Sequence, residues 1–307
     1  MARAGAPRGP RKYTGQSSWG GGGRVAVLFP VPVDAPQPAP DPAPPAQSWV
    51  IAVGDELLDG HTTDTNSTWL AGALRGTPFP CRRITIIPDA EPVIVSELES
   101  AVVGPAARVF LCGGLGPTPD DRTLTAVAQA FGRPLREHPA ALAHIQGVVA
   151  RMHAAGWVAT PSLNPGNRKM ALVPEGATVL PNRMGMAPPL ALPLPGPSAR
   201  WLLVIPGVPR ELRTVVAEEI IPIYCPGAAS TTSEEVTFYG IGESTFFPLL
   251  TELGLLFPEV RFGSYPRPSG GELVIRATAS DPDRVRLALG ELRRLSADLP
   301  PRPFPRG

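Results

Sequence analysis

The chain has 307 residues, enough for one large α/β domain and a smaller companion. Its 28 basic and 27 acidic side chains leave a formal net charge of +1, which gives no sign of the basic stripe or domain typical of nucleic-acid binders. No uninterrupted apolar run approaches the ~20 residues of a membrane-spanning helix, so neither nucleic acid nor membrane is expected as a partner.

Forty-one prolines and 32 glycines are too many for a compact fold unless they are concentrated somewhere. Residues 1–47 hold many of them, in a run of four glycines and a Pro/Ala-rich tract from Pro30 to Pro45. Such a segment buries too little apolar area to offset its ordering entropy and is expected to be a disordered arm. Arg3, Arg8, Arg11 and Lys12 precede any acidic residue, the charge bias of an organelle transit peptide. The prolines and glycines weaken the amphipathic helix that targeting needs. Cys81, Cys112 and Cys225 are widely spaced and lack zinc-type spacing, so reduced thiols and a cytoplasmic location are expected.

Order begins at the apolar strand Ser48–Val53, which stops at Gly54-Asp55-Glu56. Asp64 offers a cap for a helix through Leu74, Arg83–Pro88 reads as a strand, and Glu91–Val103 has helical spacing. A buried strand, Arg108–Cys112, runs into Gly113-Gly114-Leu115-Gly116-Pro117-Thr118-Pro119-Asp120-Asp121-Arg122-Thr123 and then a helix from Leu124. A further helix spans 138–155, and the tract from Pro188 to Arg200 reads as an irregular surface excursion. Trp201–Ile205 is a buried strand ending at Pro206-Gly207-Val208-Pro209, followed by a helix from Arg210 to Ile221. Trp201 and Phe110 are expected in the core. After residue 226 the order becomes β-α-β-β-α, closing with a helix capped by Asp281.

Alternating strands and helices predict an α/β fold: three layers, a mainly parallel sheet covered by helices on both faces, plus a small C-terminal α+β domain. The expected divisions are the arm 1–47, a large domain 48–226, a small domain 227–298 and a tail 299–307. Ligands in such sheets bind beyond the C-terminal strand ends. Gly54-Asp55-Glu56, the 113–123 turn and Pro206-Gly207 all fall there, which predicts one shared cleft.

A strand, a glycine turn and a helix start set out backbone N–H groups for an anion. Two adjacent carboxylates repel a bare phosphate, so Asp120 and Asp121 make sense with a cation between protein and ligand. The alternative for either aspartate is a helix cap, with Pro119 at a first-turn position. Glu56 divides evenly between supporting and solvent-facing roles, and Asp64 fits a cap better than a ligand. The four histidines form no pattern with cysteine or serine, so a nucleophilic triad is not expected.

Gly54-Asp55-Glu56-Leu57-Leu58-Asp59-Gly60, then Asp64-Thr65-Asn66, then the 113–123 turn together resemble the molybdopterin-binding, MoaB/Mog-like domain family. Pro181-Asn182 with Gly185 and Ala187-Pro188, and Pro206-Gly207-Val208-Pro209, add to that likeness. Tyr239–Ser244 and Gly263–Pro266 look like the branch of CinA and the first domain of eukaryotic FAD synthase, so the resemblance covers roughly residues 48–297.

The resemblance implies a cleft for a phosphorylated, nucleotide-like small molecule. In the CinA and FAD synthase branch it implies metal-dependent hydrolysis of a nucleotide diphosphate such as ADP-ribose or FAD. In the Mog branch it implies binding and adenylylation of molybdopterin; a non-catalytic nucleotide-binding or interaction module is the third alternative. Carried onto this chain, Asp55, Asp120 and Asp121 become the catalytic and metal-holding residues, for Mg²⁺, Mn²⁺ or Co²⁺. Gly54, Asn66, Gly113, Gly114, Gly116, Pro117, Thr118, Asn182, Gly185 and Gly207 become substrate contacts. A homo-oligomer is compatible with the family. The adenylyl-transferring domain of FAD synthase and the deamidase domain of CinA have no counterpart in these residues, so neither of those activities is expected of them. Pro189 stands where the family commonly has glycine, which implies an altered backbone contact to ligand at that point.

Overall fold

The central strands of the large sheet carry apolar residues on both faces, and the helices on either side follow from that. The computed structural model describes residues 46–196, 199–229, 231–267, 271–297 and 299. The expected arm and targeting segment before residue 46, and the tail from residue 300, lie outside the described residues.

In chain order the large lobe comprises β1 (Ser48–Val53), α1 (Asp55–Leu58), α2 (Thr65–Leu74), β2 (Cys81–Ile87), α3 (Glu91–Val103) and β3 (Arg108–Cys112). Then come α4 (Thr123–Ala130), β4 (Leu135–Glu137), α5 (Pro139–Ala154), α6 (Pro165–Lys169), β5 (Leu172–Pro174) and β6 (Thr178–Val179). It closes with β7 (Leu190–Leu194), β8 (Arg200–Ile205), α7 (Pro209–Val215), a π-turn over Val216–Ile220 and α8 (Ile221–Tyr224). The sheet runs β2-β1-β3-β8-β7-β6. Its first four strands are mutually parallel, β7 is antiparallel to β8, and β6 is antiparallel to β7. The mainly parallel sheet with helices on both faces is as expected.

Strand period two sorts the core into two layers. Ile51, Val109, Leu111, Leu202 and Val204 pack with Ile94, Leu98, Val127 and Ile145 of α3–α5. Val50, Phe110, Leu203 and Ile205 pack with Leu70, Leu74, Leu212 and Val215 of α2 and α7 on the other face. Phe110 is fully buried, while Trp201 is only partly so, its ring edge-on to Tyr224 at 4.9 Å between centroids. Asp64 caps α2, accepting from the Ser67 amide at 2.9 Å. Cys112 and Cys225 are buried and Cys81 partly so, all three as free thiols.

The tract from Pro188 to Arg200 corrects the expectation of an irregular excursion. It contains β7, paired along its length with β8, with four of its five residues buried. Proline is tolerated in β7 because β6 pairs only with Leu190 and Ala191, so Pro193 falls where the strand is a free edge and no donor is required. Pro222 explains the π-turn: it cannot donate to the carbonyl four residues back, and the helix widens just before it.

The small lobe contains β9 (Thr232–Tyr239), a 3₁₀ turn over Glu243–Phe246, α9 (Phe247–Leu256), β10 (Arg261–Pro266), β11 (Glu272–Ala279) and α10 (Pro282–Leu295). Its antiparallel sheet, order β10-β11-β9, has a core of its own built on Phe246, Ile275, Val285 and Leu289. Asp281 caps α10 as its sequence position suggests, accepting from the Asp283 amide at 2.8 Å. Among the described residues no helix is long and apolar enough to cross a membrane.

Candidate functional site: an acidic cavity at the strand ends

Parallel register brings the site together. Val53 is level with Ile87, Ala52 with Cys112, and Cys112 with Ile205, so four strands end side by side. The Gly54 amide donates to Ile87 O at 3.0 Å and the Gly113 amide to Ile205 O at 3.1 Å, carrying the alignment one residue further. Gly113 takes φ +107°, and a Cβ there would lie 2.3 Å from Val53 O; only glycine fits between β1 and β8 at that point. Gly114 also has positive φ, +65°, with Thr123 Oγ1 where its Cβ would be. Thr123 Oγ1 donates to Gly113 O at 2.9 Å, tying the turn to the start of α4. Among the described residues, the amides of Gly114, Leu115 and Gly116 have no protein acceptor.

A cavity of about 650 Å³ opens over this turn. Of the expected residues, Gly113, Gly114, Gly116, Pro117, Asp120, Asp121 and Gly207 line it, joined by Glu56, Asp89 and Glu211. Met170, Met186, Ala187 and Leu115 form its apolar wall. The remaining expected residues stand behind the lining. Asn66 Nδ2 donates to Gly207 O at 2.6 Å. Thr118 donates through its amide (2.9 Å) and its hydroxyl to Asp121 Oδ2, closing the loop. Asn182 is buried: it donates to Ala187 O at 2.9 Å and Glu211 Oε2 at 2.8 Å, and accepts the Met184 and Gly185 amides. Its amide is used up in holding Glu211. Gly185 is glycine because a Cβ would overlap the Glu211 carboxylate, 1.9 Å away. Gly54 likewise leaves room for the Glu56 carboxylate to fold over it.

Two expectations need correction. Asp55 begins α1 and is exposed; it does not line the cavity, and its contribution is an amide donated to Asp89 Oδ2 at 3.0 Å. The carboxylates lining the cavity from this side are Glu56 and Asp89, the latter two residues beyond β2. Pro189 is buried just ahead of β7, where its carbonyl accepts from the Leu180 amide at 2.8 Å. It does not line the cavity, so the substitution acts on the turn into β7.

Asp89 and Glu211 could have been found by the rule that exposed Gly54-Asp55-Glu56, since both follow strand ends. Lys169 gave no signal. It comes from α6, and its ammonium donates to Thr118 O and, at 3.5 Å, to Gly116 O. Burial holds the Asp89 carboxyl above its ordinary range, and the charges of Asp55, Glu56 and Asp121 push the same way against the Asp55 amide. The Thr118 hydroxyl, with the more distant Lys169 charge, holds the Asp120 carboxyl below its ordinary range. That hydroxyl has one proton to share between the two aspartates.

Among the described residues, no three His, Cys, Asp or Glu side chains converge to hold a metal by themselves. The donors here are all oxygen, and a hard cation is commonly held by one or two carboxylates, with phosphate oxygens and water completing its shell. The donor set fits that arrangement.

The family described as "Probable molybdopterin binding domain" matches residues 49–224. The chain belongs to this MoaB/Mog-like family, and a CinA-like relative is consistent with the CinA N-terminal branch. A protein of Thermococcus kodakarensis is 39% identical over 177 residues, covering 56% of this chain and 68% of that one. A CinA-like protein of Citrifermentans bemidjiense is 33% identical over 264 residues, 81% of this chain and 58% of the relative's length. Among solved structures, the CinA protein of Thermoplasma acidophilum, described as of unknown function, is 30% identical with a TM-score of 0.47, covering 56% of this chain and 94% of that one.

Proposed function

We propose that the acidic cavity binds a phosphorylated, nucleotide-like small molecule and hydrolyses its diphosphate bond, as in ADP-ribose or FAD. The observation that carries this reading is the meeting of three unpartnered backbone amides with Asp89, Asp120, Asp121 and Glu56 around one cavity of about 650 Å³. The amides of Gly114, Leu115 and Gly116 hold one phosphate, as glycine nests do. The apolar wall of Met170, Met186 and Leu115 takes the flat ring system.

Asp121, fixed by Thr118, and Asp120 would hold a divalent metal, Mg²⁺, Mn²⁺ or Co²⁺; when bound it supplies charge neutralisation at the diphosphate. Asp89, with its raised pKa, is the better base for a water attacking phosphorus. The water oxygen forms the new P–O bond, the bond to the bridging oxygen breaks, and the water's proton passes to Asp89. Glu211, held by Asn182, and Lys169, held by the loop carbonyls, keep the two sides of the cavity in register.

The test is a panel of ADP-ribose and FAD with each metal and with EDTA. Turnover should require metal and disappear in Asp121→Ala with the fold intact. No turnover on either substrate with any of the three metals would overturn the reading.

The apolar wall also suits a pterin, and the family's description names molybdopterin. That second reading predicts pterin binding and ATP consumption, and calorimetry showing no pterin binding would dismiss it. An inert interaction module is the outcome left if a thermal-shift screen of nucleotides, pterin and metals is flat.

A further inference from the structure

At the opposite end of the sheet from the acidic cavity, a second cavity of about 600 Å³ lies between the start of β2, the end of α2 and the open face of the small sheet. Cys81 and Arg82 open β2, whose far end leads to Asp89, so a seven-residue strand of roughly 20 Å separates the two cavities.

Four arginines line it: Arg75 and Arg82 from the large lobe, Arg261 and Arg276 from the small one. Arg276 is held in place, donating from Nε to Glu235 at 2.7 Å and lying 4.8 Å over the Tyr265 ring. Glu235 neutralises that one charge. Among the described residues, Arg75, Arg82 and Arg261 have no carboxylate within ion-pair distance. In a chain of net charge +1, three uncompensated guanidinium groups around one cavity are a local excess that a bound anion would relieve. The carbonyls at the end of α2 do not oppose an anion strongly, because Gly72, Leu74 and Gly76 O already accept from Arg75, Thr77 and Ala229 amides.

We propose that this cleft is a second ligand site, for a small molecule carrying two or more phosphates, which its arginines grip from both lobes. Guanidinium forks match phosphate oxygens in paired hydrogen bonds. A free small molecule is favoured over a nucleic-acid strand because, of the two aromatic rings in the lining, Tyr265 is already covered by Arg276 and Phe262 packs against the small lobe's core. The Cys81 thiol is a spectator: it lies against Arg83 O at 3.4 Å, and burial pushes its pKa up, away from a reactive thiolate. The proposal stands independently of hydrolysis in the acidic cavity.

Inorganic triphosphate titrated into the full chain in EDTA is the test, followed by calorimetry at low salt. EDTA keeps the triphosphate from bridging to the acidic cavity through metal. Saturable binding is expected, weakened about tenfold or more by Arg82→Ala and by Arg261→Ala. Both side chains are exposed and unpaired, so circular dichroism and the ligand-free Tm should match the parent. Absence of binding, or binding unchanged in the double variant, overturns the proposal. So does a single-stranded oligonucleotide that binds these arginines more tightly than triphosphate does. Metal-dependent turnover of ADP-ribose in the double variant reports on the acidic cavity alone, so the two readings fail separately.

Discussion

Asp89 keeps a carboxylate among the charges of Asp55, Glu56 and Asp121 in a half-buried position, and the cost of that placement depends on pH. Its folded-state pKa is raised. At pH below the ordinary aspartate range both folded and unfolded chains hold the proton, and the cost is absent. As pH climbs from the ordinary value to the raised one, the unfolded chain gives up its proton first, and folding is penalised from there upward. Asn at this position keeps an oxygen for the Asp55 amide and removes the charge. Asp89→Asn should therefore have a higher Tm than the parent at pH 7, with the difference fading toward about pH 3. A difference equal at both pH values would contradict the assignment. On the proposed reaction the same variant should lose about 10²-fold or more in kcat/KM, measured at saturating metal. Asp89 was readable in principle, as an aspartate after a strand end, yet Asp55 was the more conspicuous choice. Which of two neighbouring aspartates faces the cavity depends on where a four-residue helix turns, and that is a matter of packing.

Glycines and caps act at the scale of elements, where residue type speaks most directly. Gly113 sits in the left-handed region with Val53 O against the place of a Cβ. Gly113→Ala should cost about 3 kcal/mol or more in chemical denaturation, the sum of backbone strain and a clash with a neighbouring strand. Asp64→Ala should cost about 1 kcal/mol, the usual loss for a cap, and leave metal-dependent turnover near the parent's. A large loss of activity with unchanged stability would instead make Asp64 a ligand. Gly185 is a different case. Its φ is not in the left-handed region, and the atoms nearest to an added Cβ are those of the Glu211 carboxylate, so Gly185→Ala should act by displacing Glu211 from the cavity wall. Strand β7 shows the limit of reading elements locally. Five prolines between residues 188 and 200 argue for a loop, but Pro193 falls where β7 has no partner on its outer side.

For the molecule as a whole, the two lobes have separate cores, one divided over both faces of the six-stranded sheet and one beneath the three-stranded sheet. Their stabilities should therefore be separable. Native-state hydrogen exchange should give one opening free energy for amides of β1, β3 and β8 and another for β9 and β11. A single value throughout would mean that the lobes unfold as one unit. If the arginine cleft binds phosphates from both sides, triphosphate should raise the small lobe's value along with the large lobe's.

Apolar patterning and glycine placement were enough, from the sequence alone, to set out the parallel sheet, the helices on its two faces, the glycine turn at 113–118 and the caps at Asp64 and Asp281. These depend on neighbours within a few residues, where backbone sterics and period decide. Tertiary structure alone decided that Lys169 joins the turn, that Asp89 rather than Asp55 lines the cavity, that Asn182 and Asn66 stand behind the lining, and that four arginines from distant segments surround a second cavity. Those placements arise from parallel register and from groups meeting across 29 or more residues of chain. No local preference encodes such a meeting, because it is fixed by close packing of the whole sheet.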